Sequence, residues 1–166
     1  MSDSLSNSIP ELVQQLADKL LAKKLIISTA ESCTGGWISQ SLTALAGSSV
    51  WFDSGFVTYS NEAKQRLLSV PAAIFDSDGA GAVSEATVLA MTAGAIQNSR
   101  ANLAVAVSGI AGPDGGSEEK PVGTVWIAWQ WESKSLARCF RFSGDRESVR
   151  RATVLAALDG CLLLVD

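Results

Sequence analysis

The sequence contains no histidine. Histidine is the commonest general base and metal ligand, so a Ser-His-Asp triad, a Cys-His dyad and a His-ligated metal are all excluded. Cysteine is scarce: Cys33, Cys139 and Cys161 are odd in number, far apart and without CxxC spacing. That pattern indicates neither a disulfide framework nor a zinc site, and it fits a reducing compartment. No apolar run approaches the roughly 20 residues needed to cross a bilayer. The opening MSDSLSNSIPELVQQL is polar and acidic where a secretory signal is basic and then apolar. The expectation is a cytoplasmic protein with no membrane partner. Charge is thin as well, with 18% charged residues and a net charge of -4. A phosphate backbone recruits basic surfaces, so nucleic acid is not an expected partner.

What is present is apolar bulk. Hydrophobic residues make up 47% of 166, with five Trp and five Phe. This is enough to bury one sizeable core, and residues 1–166 are expected to form one domain without repeat or linker. Leu12, Leu16 and Leu20 recur every four residues, so Pro10 to about Lys23 reads as an amphipathic helix. LIISTA (25–30) and NLAVAVSG (102–109) are β-branched or apolar runs, as in strands buried on both faces. Residues 35–46 read as a helix opening at a Gly pair. Residues 51–60 read as a strand, and 61–68 as a helix capped by Ser60 or Asn61. Residues 71–82 form a loop, after which Ser84 caps a helix to about Ser99. A hairpin around Glu132–Lys134 and a last helix capped by Asp145, running to about Leu164, complete the chain. Helices alternate with apolar strands, so the predicted class is α/β: a three-layer α/β/α sandwich with a mixed, mostly parallel sheet.

Three loops carry candidate chemistry. TAESCTGG (29–36) joins a buried strand to a helix, where ligands of open α/β sheets bind. Ser32 or Cys33 is the candidate nucleophile there, and the amides around Thr34, Gly35 and Gly36 are candidate oxyanion donors. The alternative is a turn with a capping Ser and packing Gly. VTYSNEAK (57–64) holds the only tyrosine, Tyr59, and places Lys64 one turn into a helix. Lys64 is either a solvated helical lysine or, if burial lowers its pKa, a base. SGIAGPDGGSEEKPVGT (108–124) is either a flexible connection between strands or, as loop-rich tracts of this length in a compact domain more often are, a functional loop. Gly109, Gly112, Gly115 and Gly116 let backbone amides approach an anion. Arg146, Arg150 and Arg151, around the start of the last helix, are either a phosphate clamp or a solvated face.

TAESCTGGW, GSSxWFDSGFVTYSNEAK, GAVSE, SGIAGPDGGSEEKPVGTVW and FSGDRESVR together resemble the C-terminal domain of the competence/damage-inducible protein A family. They stand in family order and cover about Leu12 to Leu164. The resemblance implies the three-layer fold, a homodimer or higher oligomer, and no metal or other cofactor. It implies hydrolysis of nicotinamide mononucleotide to nicotinate mononucleotide and ammonia. It places the nucleophile on Ser32, the general base on Lys64, and an assisting or pocket-lining group on Tyr59. Arg146 becomes the candidate for the substrate phosphate, and Thr34, Gly35, Gly36, Gly109, Ala111 and Gly112 further substrate contacts. With histidine absent, a Ser-Lys arrangement remains a known way to activate serine. The competing readings are a non-catalytic nucleotide-binding paralogue and a Cys33 thiol hydrolase, which has no His to form its thiolate.

Overall fold

The structure is a computed structural model that describes residues 7–166. Its first helix, α1 (Ile9–Lys23), begins one residue earlier than the periodicity suggests. Ser8 caps it, and Glu11 returns a carboxylate to the Ser8 N–H at 2.6 Å, closing a capping box. Pro10 sits in the first turn, where its missing donor costs nothing.

Five strands follow: β1 (Ile27–Glu31), β2 (Phe52–Val57), β3 (Leu103–Gly109), β4 (Thr124–Trp131) and β5 (Lys134–Arg141). They form one sheet in the order β2-β1-β3-β4-β5. β1 pairs in parallel with both β2 and β3, while β4 is antiparallel to β3 and β5. Four strands therefore run the same way and only β4 opposes them, the mixed and mostly parallel sheet that the strand–helix alternation implies.

Side chains alternate across the sheet and divide the core in two. Leu103, Val105 and Val107 of β3 and Ile127 and Trp129 of β4 pack with α1, α2 (Trp37–Thr43) and α5 (Arg146–Leu164). Ala104, Ala106 and Ala128 face Val88, Met91 and Ala95 of α4 (Glu85–Gln97), with Leu68 of α3 (Asn61–Leu68) alongside. Small residues on this second face let α4 lie close to the sheet. On the first face the fit is tighter still. Trp129 lies against Gly160 of α5 and donates its Nε1 to the Ala157 carbonyl at 2.8 Å. A Cβ on Gly160 would come within 2.2 Å of the indole.

Local chemistry sets the other helix starts. Ser60 accepts from the Ala63 N–H, Ser84 from Thr87 and Asp145 from Ser148. α2 departs from expectation. It spans Trp37–Thr43, because Gly35 and Gly36 take left-handed φ angles of 60° and 102°. The Gly pair is thus a turn before the helix, where a side chain would be strained.

The topology brings three strand ends to one rim. Glu31 is level with Val57 of β2 and Val107 of β3. The Ser32 N–H extends the pairing to the Val107 carbonyl at 3.1 Å. The loops after β1, β2 and β3 therefore open together at the carboxyl end of the parallel strands.

Candidate active site

Ser32 leaves β1 on the face that α3 covers. Lys64 and Leu68 are one helical turn apart on α3 and both are buried. That face lays the Lys64 side chain across the end of β1. Its Nζ lies 2.9 Å from Ser32 Oγ, 2.8 Å from the Thr58 carbonyl and 3.4 Å from the Tyr59 carbonyl. Lys64 is only 1% exposed, and no carboxylate among the described residues forms an ion pair with it. Burial disfavours the ammonium and pulls its pKa below the ordinary lysine value.

The alternative nucleophile has the opposite electrostatics. Cys33 is buried, and desolvation pushes its thiol up to about 12, with the Glu31 charge adding to the effect. Near neutral pH it is a thiol and a poor nucleophile.

Glu31, fully buried beside Ser32, accepts four hydrogen bonds. They come from the Thr34 hydroxyl at 2.7 Å, the Ile38 and Ser39 amides at 2.8 and 3.0 Å, and the Ser39 hydroxyl at 2.8 Å. The positive end of α2 is thereby occupied by protein rather than offered to a ligand. Gly35 gives its amide to the Ser32 carbonyl at 3.0 Å. The amides of Cys33 and Thr34 have no acceptor among the described residues.

The three arginines separate. Arg146 donates to the Gly112 carbonyl at 2.8 Å and to the Tyr59 hydroxyl at 3.0 Å, bridging two of the loops. Arg150 donates to the Cys33 and Thr34 carbonyls at 3.1 and 3.0 Å while stacking on Trp37. It braces the turn after Ser32 from behind. Arg151 lies along an apolar groove between α1 and α2. A joint clamp of all three is not formed.

A cavity of about 210 Å³ opens at this rim. Of the residues singled out in the sequence, Ser32, Cys33, Tyr59, Lys64, Gly109, Ala111 and Arg146 line it. Thr34, Gly35, Gly36 and Gly112 are not in its wall. Thr34 turns inward to Glu31, and Gly112 acts through the carbonyl that holds Arg146. Sequence reasoning missed Asn61, Ala82, Val83 and Ser108, which complete the wall. Register could have found Ser108, since pairing Glu31 with Val107 puts Ser108 beside Ser32. The groove beside Arg151 is larger, about 360 Å³, but its walls are mainly apolar and it holds no nucleophile–base pair. The Ser32–Lys64 contact lies in the smaller cavity. Among the described residues no cluster of carboxylates and cysteines is placed to hold a metal ion, and no helix is long and apolar enough to cross a membrane.

Comparison with known proteins adds to this geometry. The family model for the CinA C-terminal domain matches residues 9–164. The nicotinamide-nucleotide amidohydrolase PncC of Pseudomonas putida is 53% identical over 156 residues, covering 94% of this chain and 96% of that protein. The PncC of Escherichia coli K12 is 49% identical, covering 95% and 93%. The crystal structure of the competence/damage inducible protein CihA from Agrobacterium tumefaciens superposes with a TM-score of 0.92. It is 45% identical, and the match covers 96% of this chain and 97% of that one. The chain belongs to the CinA C-terminal domain family.

Proposed function

We propose that this protein hydrolyses the carboxamide of nicotinamide mononucleotide, with Ser32 as nucleophile and Lys64 as general base, in the recycling of pyridine nucleotides. The substrate comes from the names of relatives about half identical over nearly their whole length. The observation that carries the mechanism is the set of partners around Lys64 Nζ. Two backbone carbonyls, of Thr58 and Tyr59, accept the two hydrogens of a neutral amine. The remaining lone pair then faces Ser32 Oγ at 2.9 Å.

The steps follow from that arrangement. Ser32 Oγ attacks the carboxamide carbon and gives its proton to Lys64. The oxyanion that forms is met by the amide of Cys33, the residue of this turn that lines the cavity beside Ser32, such a donor lowering the barrier by roughly 3 kcal/mol. Lys64 returns the proton to the amide nitrogen, the C–N bond breaks, and ammonia leaves an ester on Ser32. Water then attacks the ester with Lys64 again taking the proton. The C–O bond to Ser32 breaks, Ser32 is reprotonated, and nicotinate mononucleotide departs.

Arg146 offers a planar fork to the substrate phosphate, with Gly109 and the following loop beside it. Tyr59 holds that guanidinium and lines the cavity. No metal or organic cofactor enters these steps. The protein is further proposed to be cytoplasmic and to assemble with copies of itself. A non-catalytic binding module would have no use for an unpaired lysine buried against a serine. The test is to incubate the purified protein with nicotinamide mononucleotide and measure ammonia and nicotinate mononucleotide. Equimolar release of both is expected, and release of neither contradicts the reading.

A further inference from the structure

We propose that Ser108 reads the carboxamide nitrogen of the substrate and disfavours the carboxylate of the product. The inference rests on the amidase reading and specifies what recognises the reacting group.

The placement comes from the sheet. The parallel pairing of Glu31 with Val107, continued by the Ser32 N–H to the Val107 carbonyl, sets Ser32 and Ser108 side by side. Residues two apart share a face of a strand. Ala30 and Ala106 both join the core under α4, so Ser32 and Ser108 emerge on that same face, at the cavity wall.

The chemistry comes from the hydroxyl proton. Ser108 is 2% exposed, and its Oγ lies 2.7 Å from the Ala82 carbonyl. A carbonyl can only accept, so the proton of Ser108 is committed there. What Ser108 presents to the cavity is therefore a pair of acceptor lone pairs. The other two hydroxyls of the wall are placed differently. Ser32 faces Lys64, and Tyr59 accepts from Arg146 while keeping its own proton to donate.

This asymmetry separates amide from acid. A carboxamide has two N–H donors, and one of them can be given to Ser108 Oγ. The product carboxylate has only acceptors, so it meets Ser108 lone pair against lone pair. Arg146, the permanent cation of the wall, would otherwise favour the more anionic product. An acceptor fixed beside the nucleophile offsets that attraction at the reacting group and orients the nitrogen that must leave. Ala82 takes part through its carbonyl, which keeps the Ser108 proton out of the cavity.

The experiment compares wild type with Ser108→Ala, Ser108→Cys and Ser108→Thr. The readouts are KM for nicotinamide mononucleotide and the competitive Ki of nicotinate mononucleotide. Loss of one hydrogen bond to the amide, with relief of repulsion toward the acid, should lower the ratio Ki/KM by about tenfold in Ser108→Ala. Ser108→Cys, whose sulfur is a weak acceptor, should move the ratio the same way, and Ser108→Thr should restore it. If Ser108 merely pins the loop at Ala82, both constants change by the same factor and the ratio stays put, which overturns the inference while leaving the amidase reading intact. If wild type releases no ammonia, the amidase reading fails and this inference falls with it. If Ser108→Ala does not fold, the ratio in Ser108→Cys decides.

Discussion

Lys64 Nζ lies 2.9 Å from Ser32 Oγ, a contact between residues 32 apart in the chain that the crossing of α3 over the end of β1 creates. A free lysine has a pKa near 10.4, so fewer than about one in a thousand would be neutral at pH 7. Burial lowers that value. The base must be neutral to act, so kcat/KM is expected to rise with pH through the lowered Lys64 pKa and level off below the value for free lysine. Lys64→Arg keeps the charge but cannot take up a proton, and should lose at least about a thousandfold in kcat. A rate that is flat from pH 6 to 10, or a Lys64→Arg enzyme near normal kcat, would show that Lys64 is not the base.

The same burial predicts a stability signature. The native pKa of Lys64 lies below its unfolded value, so between the two the unfolded chain binds more protons, and this group adds stability as pH rises through that window. Below the native pKa the full cost of burying the ammonium remains. Lys64→Met fills similar space and does not titrate. The stability of wild type relative to Lys64→Met should therefore improve between pH 7 and 10, as read from paired urea midpoints. A difference that is constant, or that moves the other way, contradicts the shift.

Arg146 spends both terminal nitrogens on Gly112 and Tyr59, and these bonds are replaceable by two phosphate oxygens. Arg146→Ala should raise KM for the mononucleotide by about tenfold or more, while leaving any activity on nicotinamide riboside nearly unchanged. Steady-state kinetics on both substrates decide it. Proportional losses on the two would assign Arg146 to holding the loops together.

Gly160→Ala tests the packing of α5 on the sheet. The added methyl would meet the Trp129 ring, and displacing that ring breaks its bond to the Ala157 carbonyl. Overpacking of this kind costs typically 1–3 kcal/mol. Thermal melting should show a clear loss of Tm, even though alanine is the better helix former in isolation. An unchanged or raised Tm would place Trp129 elsewhere.

The parts of this fold that sequence reveals are those with local chemistry. Ser60, Ser84 and Asp145 mark helix starts because a cap bonds its own N2 or N3 amide and needs no distant partner. The apolar runs at 25–30 and 102–109 mark buried strands for a similar reason. Lys64 is different. Its sequence context is that of a solvated helical lysine, and only its i, i+4 relation to buried Leu68 hints at an inward face. The Gly35–Gly36 pair reads equally well as the first turn of a helix or as a left-handed turn before one. Glu31, between a strand and a serine, gives no local sign that it will occupy the start of α2. Arg150 and Ser108 act across contacts that only strand order and helix packing bring about.

Ser32, and not its neighbour Cys33, is expected to attack the carboxamide. Cys33 has a buried thiol held up to about 12, whereas Ser32 faces the only buried amine of the site. The direct measurement is ammonia release from nicotinamide mononucleotide by purified Ser32→Ala and Cys33→Ala, with folding of each verified by circular dichroism. Ser32→Ala is expected to fall to background while Cys33→Ala keeps most of the wild-type rate. A Ser32→Ala protein that still releases ammonia at a substantial rate would contradict the serine mechanism.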